Sequence, residues 1–167
     1  MAQTKLGENV VNTNGNLPSV GSVAPDFSLA GIDLNDVSLK TYSGKNVILN
    51  IFPSIDTRVC AMSVREFNKR AAALNDTVVL CISKDLPFAF KRFCGVEGID
   101  SVISLSDFRN KGFSKSYGVE MTDGGLAGLL ARAIVVVNKQ GTVTHTELVP
   151  SIGQEPDYEH ALNAVEA

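Results

Sequence analysis

Residues 51–67, "IFPSIDTRVCAMSVREF", decide the fold, because they join two kinds of hydrophobic pattern through a short turn. The run feeding into them, "NVILNIF" at 46–52, is almost continuously apolar and rich in β-branched residues. Such a run predicts a central strand covered on both faces. Lys45 and Pro53 bracket it. Ser54 to Val59 are mostly polar or turn-compatible, and from Val59 to Leu74 the apolar positions Val59, Met62, Phe67, Ala71 and Leu74 recur at spacings near three and four. Arg65, Glu66, Asn68 and Lys69 stand between them, which predicts an amphipathic helix. Cys60 falls in its first turn.

Outward from this junction the alternation continues. "TVVLCIS" (77–83) reads as a second buried strand, and "DLPFAFKRFCG" (85–95) as a shorter helix with Asp85 as N-cap and Gly95 as its stop. "VISLSDF" (102–108) reads as a short strand and "RNKGFSKSY" (109–117) as a short helix. "ARAIVVVNKQGTVTHTELV" (131–149) reads as an antiparallel hairpin turning at Asn138 to Gly141. The segment "EPDYEHALNAVEA" (155–167) has Pro156 near a helix start. At the other end, "KLGENVVNTNGNLP" (5–18) suits a hairpin ahead of the main body, and "VAPDFSLAGIDLNDVSL" (23–39) gives short strand-like pieces. Alternating β and α elements imply a mixed sheet with helices on both faces. The order resembles a thioredoxin-like α/β fold, expected as one domain over 1–167 with residues 1–18 as an N-terminal hairpin extension.

Composition bounds the function. With 167 residues, 44% hydrophobic and 20% charged, the chain has ordinary globular make-up. A net charge of −3 gives no electrostatic ground for a nucleic-acid partner. No apolar run approaches the roughly 20 residues that span a bilayer, and the first residues lack the apolar stretch of a secretory signal, so no membrane partner and a cytoplasmic location are expected. Glycine patterns of nucleotide-binding loops are missing, and no cofactor is implied. Three cysteines, Cys60, Cys81 and Cys94, are too few for a structural disulfide framework. They stand 21 and 13 positions apart, unlike the close ligand pairs of zinc sites, so with His145 or His160 they make a poor metal set.

A cysteine in the first turn of a helix, just past a central strand, faces unpaired backbone N–H groups and the positive end of the helix dipole. Both favour thiolate, the nucleophilic form. A buried packing role is equally open to it. Thr57 can turn its hydroxyl toward the sulfur or an incoming oxygen substrate, or simply cap the helix. Pro53 can shape a loop shielding the sulfur or merely end the strand. Arg58 can favour a nearby thiolate or pair with Asp56. Arg132 heads a strongly apolar strand, where a permanent charge needs a partner or an exit to solvent.

"PSIDTRVC", Pro53 to Cys60, has the form Pro-x-x-x-Thr-x-x-Cys and resembles the active-site signature of peroxiredoxins. "VAPDFSL" resembles the entry segment of that superfamily, and "NIFPSIDTRVCAMSVREFN", "VVLCISKDLPFAFKRFCG", "GLLARAIVVV" and "EPDYEHAL" are similar to its bacterial thiol peroxidase branch. The resemblance spans essentially the whole chain. It implies Cys60 as the peroxidatic cysteine, Thr57 and Pro53 as its loop partners, Arg132 as the cation beside the thiolate and Cys94 as the resolving cysteine. It further implies reduction of hydrogen peroxide and organic hydroperoxides, a Cys60–Cys94 disulfide reduced by thioredoxin, and a homodimer. Disulfide formation is expected to need local unfolding, with the two Cα atoms more than about 7 Å apart when reduced. Cys81, flanked by apolar residues, is expected to be a packing residue. The rival readings are a thioredoxin-type reductase, which would carry a second cysteine where Thr57 stands, and a non-catalytic interaction domain.

Overall fold

In the computed structural model, which describes residues 1–110 and 112–165, an N-terminal hairpin of β1 (Gln3–Leu6) and β2 (Asn9–Asn12) precedes a seven-stranded sheet. The sheet comprises β3 (Ser28–Gly31), β4 (Asp36–Ser38), β5 (Asn46–Ile51), β6 (Thr77–Ser83), β7 (Ile103–Ser106), β8 (Ala133–Val137) and β9 (Val143–Leu148), in the spatial order β4-β3-β7-β6-β5-β8-β9. β5, β6 and β7 run parallel, whereas β3 pairs antiparallel with β7 and with β4, β8 with β5, and β9 with β8. The sheet is therefore mixed, as the alternating pattern predicts. Lys111, Glu166 and Ala167, which belong to two of the predicted helical segments, lie outside the described residues.

Period-two alternation explains why every residue of β5 is buried. Val47, Leu49 and Ile51 enter one apolar cluster with Phe113 and Tyr117, and Ile48 enters a second with Cys60, Val64 and Phe67. Three helices cover the second face: α1 (Arg58–Ala71), α2 (Pro87–Glu97) and, after the five-residue α3 (Gly112–Ser116) on the first face, α4 (Tyr158–Asn163). A short 3₁₀ turn at Leu39–Tyr42 also packs on the first face. Cys60, Val64 and Phe67 stand at i, i+4 and i+7, the stripe that seats α1 on the sheet. Phe67 meets Tyr158 of α4 edge-on at 5.2 Å between ring centroids. Truncating Phe67 to alanine would cost about 3–5 kcal/mol. Among the described residues no helix is long and apolar enough to cross a membrane.

Two boundaries differ from expectation. α2 starts at Pro87 with Leu86, not Asp85, as its N-cap, because a proline suits the first helical position, where an N–H has no partner anyway. Its stop is Gly98, left-handed at φ 66°, rather than Gly95, which lies inside the helix. Cys94 is consequently in the last full turn, its carbonyl accepting from Gly98 N and from Ile99 N at 3.0 Å.

Candidate active site

The site forms where β5 gives way to α1. Phe52 N still reaches the sheet, donating to Ile82 O at 3.1 Å, and the buried Pro53 then turns the chain away. Thr57 is exposed and closes the turn twice over: its N–H and its hydroxyl both donate to Ser54 O, at 3.1 and 3.0 Å. It occupies the N-cap position in an extended conformation, yet its side chain makes no cap hydrogen bond. The hydroxyl is committed to the loop. Cys60, third residue of α1, is wholly buried on the core-facing stripe.

Arg132 meets Cys60 for a topological reason. β8 runs antiparallel to β5, with Ile51 opposite Ala133, so the residue before β8 lies beside the end of β5 where the Cys60 loop begins. Arg132 is 1% exposed. Nε and Nη2 donate to Ile152 O at 3.0 and 2.8 Å, and Nη2 also reaches Cys60 Sγ at 3.3 Å. Nη1 is buried and, among the described residues, has no hydrogen-bond partner. Among the described residues no carboxylate pairs with this cation. A guanidinium stays protonated in proteins, and a buried charge is costly unless compensated. The partners this guanidinium meets are the Ile152 carbonyl and, at 3.3 Å from Nη2, the Cys60 sulfur.

The other two thiols sit differently. Cys94 is half-buried, its Sγ 3.6 Å from Ser104 Oγ of β7, and it helps line a cavity of about 280 Å³ together with Ile99, Val102 and Gly31. Cys81 is buried in the middle of β6, with Asn50 Nδ2 at 3.7 Å as its polar neighbour. Burial pushes its thiol up to about 12, against a smaller opposing effect of Asn50. All three cysteines are free. Polar ties hold α1 and its loop to α2: Arg65 to Glu97 at 2.8 Å and Asp56 to Arg92 at 3.2 Å. Asn68 Oδ1 also accepts from Ser101 N, just past α2, at 2.6 Å. Asp56 thus pairs with Arg92 rather than with Arg58.

Residues 19–162 match the family model described as Redoxin. The chain belongs to the Redoxin family. Across its full length this redoxin is 59% identical to the thiol peroxidases of Mycobacterium tuberculosis and Mycobacterium bovis, covering 100% of each. Among solved structures it is similar to a peroxiredoxin-like protein from Aquifex aeolicus, with a TM-score of 0.92 and 36% identity over 98% of this chain and 95% of that one. A thiol peroxidase from Chromobacterium violaceum, 21% identical, shares the fold with a TM-score of 0.89, covering 98% of this chain and 95% of that one. This redoxin is a peroxiredoxin-type enzyme, homologous to thiol peroxidases.

The redoxin site brings Pro53, Thr57, Cys60 and Arg132 to one strand-to-helix junction, while Cys94 lies apart on α2 against β7. Two participants escaped the sequence. The Ile152 carbonyl that aims Arg132 is a backbone group, and no residue type signals it. Asp85 read as a helix cap, whereas its carboxylate binds the loop before Cys60. Pro87 was the available signal, since a proline at the first helical position moves the cap to Leu86.

Proposed function

We propose that this enzyme reduces hydroperoxides through Cys60. The Cys60 thiolate attacks the distal peroxide oxygen and the O–O bond breaks. A proton joins the departing oxygen, releasing alcohol or water, and Cys60 is left as sulfenic acid. The observation that carries this reading is the buried Arg132 guanidinium, with Nη2 on the sulfur and Nη1 unpartnered. Nη2 stabilises the nucleophile, and Nη1 is a fixed donor available to the peroxide oxygens as charge develops on them. Ile152 O holds the planar group in register, so the donors need no reorganisation during the reaction. Thr57 and Pro53 shape the loop, and the Thr57 oxygen keeps lone pairs that can accept from a protonated peroxide oxygen.

Cys94 then condenses with the sulfenic acid. One S–S bond forms, one S–O bond breaks, and water leaves. Because Cys94 Sγ faces Ser104 while Cys60 faces Arg132, the last turn of α2 unwinds for the sulfurs to meet. A dithiol reductant of the thioredoxin class returns both thiols in a homodimeric, cytoplasmic enzyme. The apolar Val59 and Met62 in the first turns of α1 are compatible with organic hydroperoxides among the substrates. The test is rapid-quench mass spectrometry after mixing reduced protein with tert-butyl hydroperoxide. Cys60 is expected to gain one oxygen within milliseconds and then to bridge to Cys94, and Cys60→Ser is expected to abolish peroxide consumption. Unchanged consumption by Cys60→Ser overturns the proposal.

A further inference from the structure

Asp85 lies in the connection between β6 and α2, two residues before Pro87. Its Oδ1 accepts from Ser54 Oγ at 2.8 Å, and its Oδ2 accepts from Ile55 N at 2.7 Å and from Ser83 Oγ. The backbone of Asp85 is itself pinned: its N–H donates to Ser83 Oγ at 3.1 Å, and its carbonyl accepts from Ser106 Oγ. The end of β6 therefore holds both the carboxylate and the backbone N–H of Asp85, and the end of β7 holds its carbonyl. Ser54 passes the constraint on. Its hydroxyl oxygen accepts from Asp56 N at 3.2 Å, and its carbonyl receives both Thr57 donors, so the chain of bonds runs from Asp85 to the N-cap of the helix that carries Cys60.

We propose that Asp85 is a positioning residue for the peroxidatic loop and sets the balance between its closed form and the opened form in which the disulfide is made. The inference rests on the roles given above to Cys60 and Cys94. One carboxylate joins the segment before Cys60 to the connection that leads into α2, so its release frees the Cys60 loop to move toward Cys94 while the last turn of α2 unwinds at the helix's other end. With the clamp closed, Cys60 stays beside Arg132 and reacts with peroxide. With it released, Cys60 leaves the guanidinium and Cys94 reaches it. The sulfenic acid has two fates that report the balance. Condensation with the Cys94 thiol releases water, whereas a second hydroperoxide transfers one oxygen to give sulfinic acid and alcohol. Closed loops favour the second fate, and opened loops the first.

Asp85→Asn turns an amide N–H₂ toward donors that a carboxylate had satisfied, and charged hydrogen bonds of this kind shift equilibria by roughly tenfold or more. Asp85→Asn is therefore expected to slow sulfenic acid formation about tenfold, to leave disulfide formation equal or faster, and to lower the sulfinic fraction at high tert-butyl hydroperoxide. Ser54→Ala, which removes one bond of the clamp, should move all three the same way by less, and it decides the matter if Asp85→Asn does not fold. A residue that merely supported stability would slow both steps together. Amide hydrogen exchange supplies a readout independent of chemistry: Ile55 to Cys60 should exchange faster in both variants. Unchanged exchange across that stretch overturns the proposal, as do two steps slowed in parallel with an unchanged sulfinic fraction. If wild-type protein consumes no peroxide, the reading of Cys60 falls, and the exchange measurement still judges the clamp.

Discussion

Cys60 and Cys81 are both sealed from solvent inside the same apolar cluster, yet their polar neighbours differ. Cys81 lies mid-strand between apolar neighbours with an amide at 3.7 Å, and burial holds it as a neutral thiol. Cys60 lies at a helix start with a guanidinium at 3.3 Å. Burial alone disfavours ionisation of a cysteine; in the mechanism proposed above a buried cation aimed at the Cys60 sulfur turns the same burial to use, because a charge pair there is not diluted by water. The sharpest way to break the contrast is to remove the cation. Arg132→Met should make position 60 resemble position 81 and lower kcat/KM for hydroperoxide by about 10²–10³, the effect of losing a preorganised charged donor. Arg132→Lys should recover only part, since a point charge cannot hold Ile152 O and the sulfur while offering a further donor. Steady-state turnover with tert-butyl hydroperoxide measures both.

The third thiol extends the comparison. Cys94 is half-buried with a hydroxyl at 3.6 Å and, among the described residues, no cation on its sulfur, in keeping with the part proposed for it after the first chemical step. Cys94→Ser should leave the first oxidation of Cys60 within about twofold of wild type, because the residue touches neither Arg132 nor the loop clamp. Turnover with a thioredoxin-type dithiol should fall at least tenfold, and Cys60 sulfinic acid should accumulate. Single-turnover and multiple-turnover mass spectrometry separate the two results. Loss of the first oxidation in this variant would mean that Cys94, too, shapes the reduced site.

Much of this arrangement was legible in the chain, for identifiable reasons. The continuous apolar run at Asn46–Ile51 marked the doubly covered strand. The helix after it was legible from the spacing of Val59, Met62, Phe67, Ala71 and Leu74, but the face α1 turns to the sheet is that of Cys60, Val64 and Phe67, with Val59 and Met62 only half-buried. Arg132 stood out as a charge at the head of an apolar strand, but only antiparallel pairing of β5 with β8 brings it to Cys60, and that register is a tertiary fact. Asp85 shows where local rules mislead. An acidic residue before a helix reads as a cap, whereas here the proline at position 87 starts the helix one residue later and frees the carboxylate for a loop some thirty residues away in sequence. Gly95 misled in the same way, since the left-handed backbone that ends α2 falls on Gly98.

The smallest expected effect tests the inert side of the contrast. Cys81→Ala removes a buried sulfur and should cost about 1–2 kcal/mol of stability while leaving peroxide turnover within about twofold of wild type. Its signature is in the pH dependence. Below its ordinary value of about 9 the thiol is protonated in both folded and unfolded chains, so it adds no slope. Between there and about 12 the unfolded chain releases the proton and the folded chain keeps it, so the unfolded state binds fewer protons and stability falls as pH rises. Cys81→Ala lacks that contribution, and its deficit relative to wild type should shrink as urea midpoints are followed from pH 8 to about pH 11. A deficit constant over that range would mean that Cys81 ionises as readily in the fold as outside it, and burial would no longer be what holds this sulfur neutral.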